Sequence, residues 1–93
     1  MTEKQSIALK GYEKVYIEMN ETVTAEGRVL PQRFKWIDGN NETAYDIDRI
    51  LEVKQTYAPH VGGLATRYLV RVSGREKYLW YEGPKWFVEK HTG

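Results

Sequence analysis

The residues best suited to chemistry in this chain are aromatic and basic side chains that alternate along its last third. Six of the twelve aromatic residues fall between positions 67 and 89, among five Arg and Lys residues. Aromatic rings can stack on nucleic-acid bases while neighbouring cations neutralise phosphates, and small antiparallel barrels can present both on one face. One such set is predicted on the reverse face of the C-terminal hairpins, and its members are our candidate ligand or partner residues: Arg67, Leu69, Arg71, Lys77, Tyr81 and Trp86.

The net charge argues against a binder driven mainly by electrostatics. The formal net charge is +1 and the sequence pI is about 7.9, whereas a protein that neutralises several phosphates usually has a strongly basic balance. Residues 67–93 carry six basic and three acidic side chains, so the positive excess lies at the aromatic end. Two ligand classes stay open, nucleic acid and a protein partner, the latter including a second copy of this chain.

A glycine pair, Gly62-Gly63, is the one candidate for a phosphate-binding loop. Adjacent glycines can turn backbone N–H groups toward an anion, and Arg67 follows closely. No helix is predicted after the pair, and the spacing matches neither the Walker A loop nor the Rossmann fingerprint. We therefore interpret these glycines as residues of a hairpin loop.

Asp38, Asn40 and Glu42 alternate like the first ligands of a calcium loop. Such a loop then needs Gly at its sixth position and Glu at its twelfth, where this chain has Thr43 and Arg49. The calcium-loop pattern therefore fails.

Catalysis and transition-metal binding have equally little support. The chain has no cysteine, and its two histidines, His60 and His91, are far apart with no acidic partner at ligand spacing. Neither Ser6 nor Ser73 has a histidine near it in sequence. We expect no enzymatic activity, no metal and no cofactor.

Length and composition predict one domain whose stability comes from packing alone. Ninety-three residues suffice for a single modest core, and the absence of cysteine removes disulfides. No apolar run approaches the ~20 residues that span a bilayer, and the start lacks the apolar region of a secretory signal. We expect a cytoplasmic protein without membrane contact. Residues 1–11 are polar, a composition that allows disorder, and 12–93 are predicted to form a single β domain.

The arrangement of turn residues predicts an all-β fold. Short runs rich in Tyr, Val, Ile and Trp are separated by Gly, Asn, Asp and Pro, which is typical of antiparallel strands. A bulge near 48–50 in a long third strand would bend the sheet. A helix over 45–54 is the alternative there. We expect a strongly bent sheet or small open barrel of about six antiparallel strands, at 12–19, 33–36, 42–57, 67–72, 76–81 and 86–90.

The turn between the fourth and fifth strands decides which aromatic residues are buried. A three-residue turn over 73–75 pairs Tyr68 and Val70 with Tyr78 and Trp80, which makes one apolar face and one mixed face. A two-residue turn would scatter the aromatics over both faces, so we prefer the first register. The predicted core is Val15, Ile17, Phe34, Trp36, Tyr45, Ile47, Leu51, Val53, Tyr68, Val70, Tyr78, Trp80 and Val88.

Strand and turn motifs cover about two-thirds of the chain. They include Pro31-x-x-Phe34-x-Trp36, Tyr45-Asp-Ile47, Arg67-Tyr68-Leu-Val70-Arg71 and Trp86-Phe87-Val88-Glu89. Together they resemble a group of small, uncharacterised bacterial domains of unknown function. The chain departs from that group at Tyr57-Ala-Pro-His60, where many members have a Trp-rich linker. The resemblance implies an all-β fold and a bacterial source, and it supplies no catalytic residue.

Overall fold

The structure is a computed structural model that describes residues 12–91, whose strands form one antiparallel sheet. The polar segment 1–11, predicted as a separate N-terminal segment, lies outside the described residues. No helix occurs between residues 12 and 91, so this part of the chain has none that could cross a membrane. Seven strands are present: β1 (Tyr12–Val23), β2 (Val29–Asp38), β3 (Asn41–Asp46), β4 (Arg49–Ala58), β5 (Gly63–Val72), β6 (Arg75–Glu82) and β7 (Lys85–His91).

The strand order shows an up-and-down sheet that is open at one place. The order is β3-β2-β1-β7-β6-β5-β4, so sequence neighbours pair throughout except for β3 and β4. The first and last strands, β1 and β7, also pair with each other. The result is a strongly curled open sheet, a half-barrel, whose two edges are β3 and β4. The predicted all-β fold is confirmed.

The predicted long strand over 42–57 is two strands, and this part of the prediction is wrong. The backbone N–H of Ile47 still donates to Gln32 O on β2, at 2.9 Å. The next N–H, of Asp48, donates to Arg71 O on β5, also at 2.9 Å. The chain therefore crosses from one edge of the half-barrel to the other within two residues. The strand breaks at Ile47 and Asp48, and a register shift follows between Ile50 and Glu52, beside the bulge predicted near 48–50. The helical alternative is wrong.

The β5–β6 hairpin has the register that we rejected. Ser73 and Gly74 both have positive φ angles, 52° and 78°, which defines a two-residue turn. Arg71 therefore lies opposite Glu76. The twist of such a turn matches the twist of the flanking strands. The three-residue turn that we predicted needs a positive φ at one residue only. This hairpin places aromatic side chains on both faces of the sheet.

The main core lies inside the curl, on what we call the inner face. It draws side chains from all seven strands, which is possible only on the concave side of the sheet. Leu79 is fully buried there, opposite Tyr68, while the predicted core residue Tyr78 is 47 % exposed on the other side. Val53, also predicted in the core, is 45 % exposed. The buried members are Phe34, Tyr68, Val70, Val72, Leu79, Trp86 and Val88.

A second, smaller cluster covers part of the convex side, which we call the outer face. Trp80 and Phe87 are buried there, with their rings stacked at a centroid distance of 5.9 Å. Ala58 at the end of β4 and Ala65 on β5 complete the cluster, and Val61 of the turn between these strands packs against it. Strands β5, β6 and β7 therefore have buried side chains on both faces, which the sequence pattern did not predict.

The remaining predicted core positions are buried or half-buried, but Trp80 lies on the opposite face from Tyr68 and Val70, so its predicted face is wrong. Phe34, Tyr68, Val70 and Val88 are buried in the main core, and Trp80 is buried in the outer cluster. Val15, Ile17, Trp36, Tyr45, Ile47 and Leu51 are half-buried.

Candidate functional site

The six residues predicted to share one ligand-binding face are divided between the two faces of the sheet. The cause is the two-residue turn, which shifts β6 by one position relative to the predicted register and so exchanges its faces. Arg67, Leu69 and Arg71 lie on the outer face, whereas Lys77, Tyr81 and Trp86 lie on the inner face.

The two arginines of the outer face are already engaged within the protein. The Arg67 guanidinium lies 4.3 Å from the ring centroid of Tyr78 and 3.9 Å from a Glu52 carboxylate oxygen. Arg71 donates to the carboxylate of Glu76 at 3.5 Å. A phosphate would have to compete with these carboxylates, which makes the outer face a poor anion site.

Another outer-face cation, Lys14, is engaged in the same way. Its ammonium lies 3.0 Å from Glu82 Oε1 and 4.7 Å from the ring centroid of Tyr16. Burial lowers the pKa of Lys14, but hydrogen bonds to Tyr16 and Glu82 outweigh it and leave the pKa raised. The Lys14 hydrogen bond in turn holds the pKa of Glu82 below its usual value. This pair joins β1 to β6 and stabilises the fold.

Tyr81 and Trp86 belong to the core. Trp86 is 2 % exposed, and its ring centroid lies 4.9 Å from that of Tyr81 and 5.0 Å from that of Tyr68. Its indole N–H donates to Glu21 Oε1 at 2.7 Å. Of the three predicted site residues that lie on the inner face, Lys77 alone is exposed.

Lys77 lines a cleft of about 540 Å³ at the open end of the half-barrel. One wall of the cleft is the β2–β3 hairpin and the other is the tip of the β5–β6 hairpin. Strands β2 and β6 are not neighbours in the sheet, since β1 and β7 lie between them. The curl of the sheet is therefore what brings the two walls together.

The first wall of the cleft is aromatic. Phe34 and Tyr45 lie opposite each other on β2 and β3, with their rings stacked at 5.4 Å. Trp36 follows Phe34 on the same face of β2. Phe34 is buried, but Trp36 and Tyr45 are half-buried and line the cleft. Because Trp80 and Trp86 are only 5 % and 2 % exposed, Trp36 is the tryptophan most accessible to a ligand.

The second wall of the cleft is basic. Arg75 and Lys77 alternate along the inner face of β6, and both side chains are exposed. Neither forms an ion pair with any residue in the described part of the chain. The intervening residue, Glu76, also lines the cleft, but its carboxylate pairs with Arg71 on the outer face. The cleft therefore presents two cations that are available to an anionic ligand.

The two-residue crossing between β3 and β4 holds the basic wall in place. The backbone N–H of Ser73, in the β5–β6 turn, donates to Asp48 Oδ2 at 3.0 Å. The N–H of Asp48 itself donates to Arg71 O, just before that turn. The crossing therefore ties the tip that carries Arg75 to the end of the aromatic hairpin.

Metal and phosphate binding have no further support from the geometry. Among residues 12–91 no group of three His, Asp or Glu side chains could hold a metal ion. His60 is half-buried, with Nδ1 3.1 Å from Glu89 Oε2. Gly62 and Gly63 lie in and after the β4–β5 turn, where the N–H of Gly62 donates to Ala58 O. These glycines serve the turn, as the sequence predicted.

The sequence contained the parts of this cleft but did not show that they meet. Phe34, Trp36 and Tyr45 were predicted as core residues, and Arg75 was assigned to a turn. The spacing of Phe34 and Trp36 along β2, and of Arg75 and Lys77 along β6, could have shown that each pair shares one face. The missing information was the curl of the sheet and the two-residue turn, which together set Arg75 and Lys77 across from the aromatic wall.

The fold and the cleft define a small half-barrel with an aromatic and cationic groove at its open end. Comparisons of the chain with protein-family models, with curated proteins and with solved structures found no match. The functional argument therefore rests on the geometry of the cleft.

Proposed function

We propose that this protein is a small, non-enzymatic binding module that holds single-stranded nucleic acid in the cleft. One observation carries the proposal: half-buried aromatic rings face two cations that have no ion-pair partner in the described residues. Bases stack on Trp36 and Tyr45, and backbone phosphates lie near Arg75 and Lys77. The resemblance to small bacterial domains adds a bacterial source to the proposal, and we place the protein in the cytoplasm.

The size of the cleft suits a ligand of this class. Its volume of about 540 Å³ falls within the ~300–1,000 Å³ of pockets that hold small organic ligands. Because the cleft is open at the end of the half-barrel, a chain can enter and leave it. It therefore accommodates a short stretch of a longer strand.

The near-neutral charge of the protein fits a binder that depends more on stacking than on phosphates. Stacking a base on an aromatic ring contributes roughly 1–3 kcal/mol. Two phosphate contacts on a single strand give a log–log salt slope of about −1.4, so that affinity falls about sevenfold between ~50 and ~200 mM salt. Strong binders with many phosphate contacts lose far more over the same range.

The proposal is tested by titrating labelled single-stranded DNA and RNA into the protein and following anisotropy at both salt concentrations. Arg75→Ala with Lys77→Ala should weaken binding and flatten the salt dependence, because both phosphate contacts are removed. Trp36→Ala should weaken binding without changing the salt slope. Lys90→Ala, an exposed lysine on β7 outside the cleft, is the matched control and should leave affinity unchanged.

The same titration distinguishes the cleft from the outer face. If Arg71→Ala weakens binding as much as the double variant does, the ligand lies on the outer face and the cleft assignment is wrong. No binding at the lower salt concentration would remove nucleic acid as the ligand class. The second candidate function, protein interaction, is favoured by the unpaired edges of the sheet.

A further inference from the structure

Strand β4 is the longer free edge of the sheet. It runs for ten residues, against six for the other edge strand, β3. In the described part of the chain β4 pairs with β5 on one side and with no strand on the other. Such an edge has a row of unpaired backbone N–H and C=O groups that can pair with another strand.

The face beside this edge carries unusually exposed apolar side chains. Val53 is 45 % exposed and Tyr57 is 61 % exposed, on the same face of β4 with Gln55 between them. Leu64, opposite Tyr57 on β5, is 70 % exposed. The side chains form an apolar strip along the edge, where a second strand would cover them.

We propose that β4 pairs antiparallel with β4 of a second copy of this chain, about a two-fold axis at Gln55. This register sets Val53 opposite Tyr57 of the other copy, and the symmetry repeats the contact. Pairs of aromatic and β-branched residues are favourable across antiparallel strands. On the opposite face Lys54 meets Thr56, so no two like charges are directly opposed.

Two symmetric registers with the axis nearer the start of β4 are less favourable. A two-fold axis at Lys54 places the two Lys54 ammonium groups opposite each other, which is destabilising. An axis at Val53 runs the pairing across the register shift between Ile50 and Glu52. The axis at Gln55 uses residues 52–58, beyond that shift, where β4 is regular.

The proposal goes beyond nucleic-acid binding and does not depend on it. The basic cleft residues Arg75 and Lys77 lie on β6, two strands away from the β4 edge. Variants of the edge and variants of the cleft therefore test separate properties of the protein.

The absence of cysteine from the chain permits a direct test of the register. Residues directly opposed in antiparallel strands have Cα atoms about 4.5–5.5 Å apart, within the ~4.4–6.8 Å range of disulfides. Gln55→Cys should therefore form a disulfide-linked dimer under mild oxidation. Val53→Cys and Lys54→Cys report on the two alternative registers, and Lys90→Cys controls for random collisions.

Sedimentation equilibrium of the unmodified chain completes the test. We expect a monomer–dimer equilibrium that Tyr57→Lys weakens by about tenfold, because the contact is lost twice. The thermal midpoint of the monomer should change little, since Tyr57 is mostly exposed. A monomer mass at every concentration up to about 1 mM, or crosslinking of Gln55→Cys no faster than that of a comparison variant, would overturn the proposal.

Discussion

Replacing Gly74 by alanine tests the turn that sets the whole arrangement of faces. Gly74 has a φ of 78°, in the left-handed region, and a methyl group added there would meet no atom within 4 Å. The cost is therefore conformational alone, about 1–2 kcal/mol for a residue with a Cβ atom. Gly63 also has open space around its Cβ position but no positive φ. Gly63→Ala should stabilise the protein by about 0.4–1 kcal/mol, because it restricts the unfolded chain.

The two alanine variants should therefore differ by about 1.4–3 kcal/mol in the free energy of unfolding. Denaturant titration measures the difference, with an unchanged m-value as evidence that both variants unfold in the same way. In a domain of this size each kcal/mol corresponds to ~4–8 °C in the thermal midpoint. Ser73→Asn should add stability, since Asn-Gly is the preferred pair in a two-residue turn with positive φ at both positions.

One result would refute the reasoning. If Gly74→Ala were as stable as Gly63→Ala, position 74 would not need a left-handed backbone. The two-residue turn would then be wrong, and the three-residue register with Tyr78 on the inner face would regain support. The placement of Lys77 in the cleft would fail with it.

Three further predictions concern the core and the outer face. Trp86→Phe removes the indole donor to Glu21 and should cost about 2 kcal/mol in denaturant unfolding, more than Glu21→Gln, which keeps an acceptor. Leu79→Ala should cost about 2–5 kcal/mol, because the side chain is fully buried; a cost below 1 kcal/mol would contradict its place in the core. Glu82→Gln removes the Lys14 ion pair and should cost less than about 1 kcal/mol, since both side chains are partly exposed. That difference should hold between pH 4.5 and 10.5, and it should be lost as pH falls through the lowered pKa of Glu82 or rises through the raised pKa of Lys14.

The strand pattern could be predicted from the sequence because its causes are local. Alternation along Arg33 to Trp36 and the glycines and asparagines of the turns are properties of short segments, and they placed most strands correctly. The break after Asp46 was harder to predict, since Tyr45 and Ile47 alternate across it as they would within one strand. Only the pairing of Asp48 with Arg71, far along the chain, shows that one strand has ended and another begun.

The candidate site depended on two facts that local patterns do not contain. A Ser-Gly turn is compatible with loops of two or three residues, and a change of one residue exchanges the faces of β6. The apolar pattern did not indicate which register is correct, because Trp80 and Phe87 are also buried, under the β4–β5 turn on the outer face. A sheet with apolar residues on both faces removes the contrast on which such predictions depend.

The same two-sided burial has a consequence for how the molecule opens. Strands β5, β6 and β7 are packed on both faces, whereas β2 and β3 contribute to the inner core alone. Local opening is expected to be cheapest where few apolar side chains are buried, so amide protons of β3 should exchange well before those of β6. Strands β5, β6 and β7 are then the more stable part of the half-barrel, and β2 and β3 are the less stable part. The aromatic wall of the cleft lies on β2 and β3. A ligand that contacts both walls of the cleft would slow amide exchange in β2 and β3 without contacting most of their amides.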